Sequence, residues 1–415
     1  MSTRSWQGDA AAVAQVDTVQ ITLYDAATTY TLTINGKEIS VAGTTDATGT
    51  ATALAAAWNA STEPEVAEIT ASSSTDTVTL TGDTAGKPFT VTSGVSGGTG
   101  TIGAVTTGTA ATGPNHWDNA DNWSGGAVPI NADDVVVEQG SDILYGLAQS
   151  AVTLTSLTVK RSFIGRIGLP AIANADQAAA SRYAEYRATY LAIGATTISV
   201  GEGAGTGSGR LKIDTGAVAH TTNLYGTGAP LETGLPAMLL KGSNAANVLN
   251  VTRGSIGVAL LAGETAQLAT LRVGYDTQVE SDAQVRLGSG VTLAAVETSG
   301  GQIEINGATT SLTIGAGTVD IRAGAHAAIT QYGGILNYRG TGTVTTLVVG
   351  PGAVADFGKD LRDRTLTNCE VHRGASLLDP NRTVTFTNGL DVIRSDVSDV
   401  TLRLGKHLTL TIAGV

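Results

Sequence analysis

Five short runs recur beyond residue 150: `SLTV` (156–159), `YLAIG` (190–194), `TLRVG` (270–274), `SLTIG` (311–315) and `TLVVG` (346–350). Four of them end in glycine. A strand this short cannot bury a core alone and must stack on its neighbours, so a loose repeat of this kind is the signature of a solenoid. Near the end of the chain, strands expected to start at Leu366, Val384 and Leu402 fall 18 residues apart. The spacing predicts a mainly β chain with a parallel β-helix over 151–415. At roughly 18–21 residues per coil, about 12 coils at ~4.8 Å each make a rod some ~60 Å long. With 53 glycines and only 4% aromatic residues, small side chains are expected to fill a narrow interior.

Ahead of this region lies different local chemistry. `YTLTINGKEISV` reads as two alternating strands around an Asn35-Gly36 turn, which sets Leu32 opposite Ile39 and Tyr30 opposite Val41. In `DATGTATALAAAWNAS` (46–61), Asp46 is a good N-cap and Leu54 and Trp58 share one helical face. Pro64 is expected to stop that helix. Strands follow at Ile69, Val78/Leu80 and Phe89/Val91, then a Gly/Thr/Ala linker near 93–113. The expected organisation is an N-terminal arm (1–17), a small α+β domain (18–112), a tryptophan-containing lid segment (113–150) and the β-helix (151–415).

Within `GPNHWDNADNWSGGAVPINADDVVV` (113–137), Trp117 and Trp123 are too large for a narrow solenoid interior, but an open end needs a bulky apolar cover. Asn119, Asp121 and Asn122 suit the turns between them. A lid is the expected role, with a glycan platform on the two tryptophans as an alternative. Calcium at Asp118, Asp121, Asp133 or Asp134 matches no known loop spacing. A helical insertion is expected near 173–190, where Tyr183, Tyr186 and Tyr190 form a stripe on the outside of the coils. Those three are the candidate contact between chains.

These residues carry a resemblance. The opening `RSWQGDAAAVAQVDTVQITL`, the Asn-Gly hairpin with its Ala-rich helix, and the `W…NWSGG.VP…D.VVV` pattern together look like the modular structural proteins of tailed-bacteriophage virions; the last pattern also resembles the start of β-helical stretches in bacterial surface proteins. The resemblance implies a virion role, either as a capsid decoration (cement) protein or as a tail fibre. It supplies no catalytic residues. A thin core of small residues favours burying further surface between chains, so a homotrimer is expected; the major capsid protein is the expected partner and the capsid surface, after assembly in the host cytoplasm, the expected location.

Other constellations argue against chemistry. The net charge of −12 disfavours nucleic acid, and no apolar run is long enough to span a membrane. Arg362, Arg364, Arg373 and Arg382 are the candidate contacts for an acidic partner. The single cysteine, Cys369, excludes an internal disulfide. Cys369 and His372 fall on opposite faces of a strand and cannot act as nucleophile and base. The five histidines lack metal-ligand spacing, and no cofactor is expected. `GEGAGTGSGR` (201–210) has the glycines of a phosphate loop but is followed by a strand, not a helix. Glu280 and Asp282 share one side of a strand, as paired acids of a depolymerase would, but only Tyr332 and Tyr338 are at hand to stack sugars. A non-enzymatic protein is therefore expected, with a tail fibre or spike as the alternative and a surface-polysaccharide depolymerase third.

Overall fold

The computed structural model describes residues 2–168, 190–207, 209–228, 234–275, 282–393 and 401–404. Strands take 52% of the described residues and helices 6%, so the protein is mainly β.

The small domain follows its local signals closely. Its hairpin pairs Thr29–Ile34 with Lys37–Ala42 in the expected register, Tyr30 against Val41 and Leu32 against Ile39. Asn35 and Gly36 both adopt positive φ, 48° and 78°, as a two-residue turn of matching twist demands. Val91–Ser96 completes this sheet on the other side of Thr29–Ile34. A second antiparallel sheet runs Ile69–Ser74, Thr77–Gly82 and Val16–Leu23, with Thr101–Ile102 and Thr106–Thr109 on the far side. The stretch 93–113 is thus not a linker. Its threonines and Val105 take part in the domain because Val16–Leu23 offers an open edge.

Helix Ala47–Asn59 is capped by the Asp46 side chain, which accepts from the Gly49 backbone N–H at 2.7 Å. Leu54 and Trp58 are buried against Val19, Ile21, Tyr30, Leu32, Val78 and Leu80. Trp58 Nε1 donates to the Ile69 carbonyl at 2.9 Å, so the indole brings no unpaired donor into this core. Pro64 does not stop the helix, which ends at Asn59. It opens a second short helix, Pro64–Ala67, where its missing N–H costs nothing.

The larger part is parallel. Its inward residues stack in a row: Val135, Leu157, Ile198, Thr222, Leu249, Leu271, Val296, Leu312, Ile329, Leu347, Cys369 and Leu390. A second row runs Ile167, Leu211, Met238, Ile256, Val285, Ile303, Val319, Leu336, Ala355, Leu377 and Leu402. The long strands Leu191–Glu202 and Val291–Ile305 pair within both rows. They join the intervening strands into a closed ring of nine parallel strands, with further strands beyond it on either side.

Successive members of the first row are not evenly spaced. Val296 and Leu312 are 16 residues apart, Thr222 and Leu249 27, and Leu157 and Ile198 41. The expected 18–21-residue period holds only in places, because turns of different length sit between strands of constant register. The interior is also less narrow than the composition implies. Tyr338, Phe357 and Phe163 are fully buried in it, with Tyr338 against Phe357 at 5.4 Å and against His326 at 5.9 Å between ring centroids.

The N-terminal arm is the largest correction. Thr3–Ser5 is a strand, paired in parallel with Asp134–Val137 through Arg4 opposite Val135. The chain therefore starts in the parallel sheet, leaves it to build the small domain, and returns. The small domain is an insertion between the first two strands of the sheet.

Candidate functional site

The return point is the most elaborately built part of the molecule. Trp6, Trp117 and Trp123 are all buried in the same core as Val135, Val137 and Leu157. Trp123 lies edge-on to both of the others, its ring centroid 5.0 Å from Trp6 and 4.6 Å from Trp117, the arrangement that ring quadrupoles favour. Trp123 Nε1 donates to the Trp117 carbonyl at 2.7 Å and Trp6 Nε1 to the Ser141 carbonyl at 3.0 Å. Trp117 and Trp123 are legible in the sequence as a pair, and Trp6 is not. Its signal was a lone tryptophan next to a three-residue strand, which shows no periodicity.

Two features tie this cluster to the first strand. The Ser124 N–H donates to the Ser5 carbonyl at 2.9 Å, the Gln7 N–H to the Asn122 carbonyl at 2.8 Å, and the Ser5 N–H to Ser124 Oγ at 2.8 Å. The outer edge of the first strand is thereby occupied, which removes a template for pairing with another chain. Asn122 is fully buried and satisfied on both sides. It accepts from the Ala10 N–H at 2.9 Å and donates to the Gly113 and His116 carbonyls at 2.8 Å each.

The same residues seat the small domain. The Val13 N–H donates to the Thr112 carbonyl at 2.7 Å where the chain leaves and returns, and His116 Nε2 lies 2.9 Å from the Gly86 carbonyl.

Three of the four acids of this segment have protein partners. Asp133 accepts from the Ser2 and Ile130 N–H groups and lies 3.5 Å from Arg4. Asp134 accepts from Ser156, and Asp118 lies 3.6 Å from His116, whose hydrogen bond holds the Asp118 carboxyl below its ordinary range. Asp121 is exposed. Among the described residues no three metal-ligating side chains converge.

The other sequence candidates fall apart in space. Tyr183, Tyr186 and Glu280 lie outside the described residues. Tyr190 is buried rather than on an outer stripe, with Lys241 Nζ 4.5 Å from its ring centre. It leads directly into the strand Leu191–Glu202, and burial together with Glu264 raises its hydroxyl pKa; the rest of the helix expected near 173–190 lies outside the described residues. It offers no surface to a second chain.

Arg364 is likewise no docking residue. Its side chain is buried, Nη1 donating to the Phe357 carbonyl at 3.2 Å and to Thr383 Oγ1 at 2.5 Å, because it serves inside the sheet. Arg362 is exposed but clamped on Asp360 at 2.8 Å, which holds that carboxyl well below its usual range. Arg373 and Arg382 are exposed. Cys369 is buried, its thiol pushed up to about 12 by burial, while His372 points outward to Glu370 at 2.6 Å.

The glycines of 201–207 form a turn between two strands, in which Gly201 and Gly205 approach the backbones of Gly226 and Arg161 too closely for any side chain. Tyr338, considered for sugar stacking, is buried and donates to the Gly342 carbonyl at 2.8 Å, whereas Tyr332 is 66% exposed.

One feature has no counterpart in the sequence reading. The outward face of four adjacent strands forms a groove of about 310 Å³ lined by Gln284, Arg286, Gln302, Glu304, Thr318, Asp320, Arg322 and Asn337. The strand register lines these up as Gln284–Gln302–Thr318 and Arg286–Glu304–Asp320–Asn337. Nothing in the local sequence marks them, since polar outward residues alternate along every strand of the sheet.

Comparison with protein-family models, curated proteins and solved structures finds no match to this chain.

Proposed function

We propose that this chain is a non-enzymatic structural protein of a tailed-phage virion, built as a right-handed β-helix with a docking module at its lidded end. The stacked inward rows support the helical reading, since crossovers between parallel strands of one sheet are right-handed almost without exception.

The observation that carries the structural role is the construction of the first end. The edge of Thr3–Ser5 is closed by the Trp123–Ser124 segment, so the stack does not grow there by adding a strand from another chain. The small domain is mounted at that same end through the Val13–Thr112 crossing. A sealed stack carrying one compact module suits attachment to a repeating shell. The specific role we propose is a capsid decoration protein that bridges coat subunits as a homotrimer. The exposed groove favours one second reading, a tail fibre or spike that binds the host.

Sedimentation of the purified chain with isolated capsids and, separately, with isolated tails tests this. Binding to capsids by a trimer is expected. Binding to tails alone moves the protein to the fibre class, and a monomer that binds neither overturns the virion role.

A further inference from the structure

We propose that the groove over Gln284–Asn337 binds an acidic oligosaccharide, an inference that stands apart from any virion role. Its two rows differ in chemistry. Gln284, Gln302 and Thr318 present uncharged donors and acceptors, one per strand. Among the described residues their side chains, and that of Asn337, make no hydrogen bond within the protein. Elsewhere on the sheet, outward amides satisfy each other: Asn250 donates to Asn223 at 2.9 Å and Asn388 to Asn368 at 2.7 Å. The groove amides are free for a ligand.

The neighbouring row is charged. Arg286 lies 3.6 Å from Glu304, Arg322 3.1 Å from Glu304 and 3.4 Å from Asp320, and Arg339 3.0 Å from Asp320. Arg286 Nη1 also donates to the Gly234 carbonyl at 2.7 Å, and the side chains of Arg286, Arg322 and Arg339 remain 38%, 47% and 37% exposed, so their outer edges are what a ligand meets. The lining itself balances Arg286 and Arg322 against Glu304 and Asp320; Arg339, paired with Asp320 from just outside the lining, adds one positive charge, which a single carboxylate on a ligand neutralises. Guanidinium groups match carboxylates two bonds at a time.

Spacing and surface fit a chain of sugars. Rungs of a parallel sheet repeat every ~4.8 Å, close to the advance of one sugar ring. A row of amide and hydroxyl groups at that step meets successive ring hydroxyls. Ile335, 43% exposed and next in register to Thr318, supplies an apolar surface for a ring's C–H face. A bare anion would use the arginines and leave the amide row idle; an oligosaccharide bearing a uronic acid uses both.

The test is binding to an array of printed oligosaccharides, neutral and uronic-acid-bearing. The wild-type chain is expected to bind acidic members. Gln302→Ala and Arg322→Ala, both at exposed positions, should each weaken binding about tenfold or more, roughly one hydrogen bond to a charged or sugar group. Their melting temperatures should be unchanged, and Asn250→Ala on another face should bind as wild type. No binding to any printed sugar, or binding that both groove variants retain, overturns the proposal. Equal competition by inorganic phosphate assigns the groove to free anions and also overturns it.

Discussion

In the small domain the core gathers around one large side chain, Trp58, locked by Leu54 from the same helix and by strands from two antiparallel sheets. In the parallel sheet the core is a column of Val, Leu and Ile, closed at its first end by three indoles. The first core is assembled from contacts near in sequence, through the Asn35-Gly36 turn and the Asp46 cap. The second depends on registers between residues about twenty apart, and its end must be sealed by residues from three distant places, Trp6, Trp117 and Trp123. A repetitive stack thus concentrates its specific chemistry at a terminus, where regular packing runs out.

The two cores also differ in titratable content, and this gives the largest expected effect. The small domain over 18–112 contains no histidine. The parallel core holds His220 and His326, both buried, with Thr222 Oγ1 3.0 Å from His220 Nδ1 and Thr309 Oγ1 2.8 Å from His326 Nδ1. Burial pulls each imidazole down to about 4. A depressed histidine contributes stability that is fully present above its unfolded value, near 6.5, and is lost as the pH falls towards 4. At ~1.4 kcal/mol per unit, each accounts for roughly 3 kcal/mol. Between pH 6.5 and 4 the parallel core should therefore lose most of its margin while the small domain keeps its own. Replacing both histidines by Gln should flatten that loss. Urea melts followed across this range check it, and equal acid sensitivity of both units would erase the distinction.

The lid gives the next largest effect. Trp123→Ala removes the indole that touches both others and should cost about 3–5 kcal/mol. The loss should fall on the parallel sheet, as faster hydrogen exchange at Val135–Val137, while Thr77–Gly82 in the small domain stays protected. A cost below ~0.5 kcal/mol, or a loss shared equally by Thr77–Gly82, would mean that Trp123 does not seal the stack.

What the sequence made legible follows the same division. The hairpin, the helix and its cap were readable because each is decided within a few residues by φ preference, capping or one hydrophobic face. The parallel strands were readable as a class, through `SLTIG` and `TLVVG`, but their spacing was not, because turns of any length can join strands of fixed register. Thr3–Ser5 was invisible: three polar residues become a strand only because Asp134–Val137 lies beside them. Arg364 was misplaced because an arginine in polar surroundings defaults to the surface, and Tyr190 because its spacing from Tyr183 and Tyr186 matches one helical face; only tertiary partners such as Thr383 and Lys241 reveal that both are buried. The groove residues were unreadable for a simpler reason, since strand alternation gives every outward position the same pattern.

The most direct test of the account asks whether the small domain is truly an insertion. Its two crossings touch: a side chain built on Gly113 would meet the Ala12 backbone at 3.1 Å. Joining Ala12 directly to Gly113 removes the domain and should leave the rest almost undisturbed. The shortened chain is expected to fold cooperatively, with a β-type circular dichroism spectrum, buried tryptophan fluorescence from the lid, and a melting transition matching that of the parallel sheet in the full chain. A shortened chain that stays unfolded, or folds with its tryptophans exposed to solvent, would contradict the account.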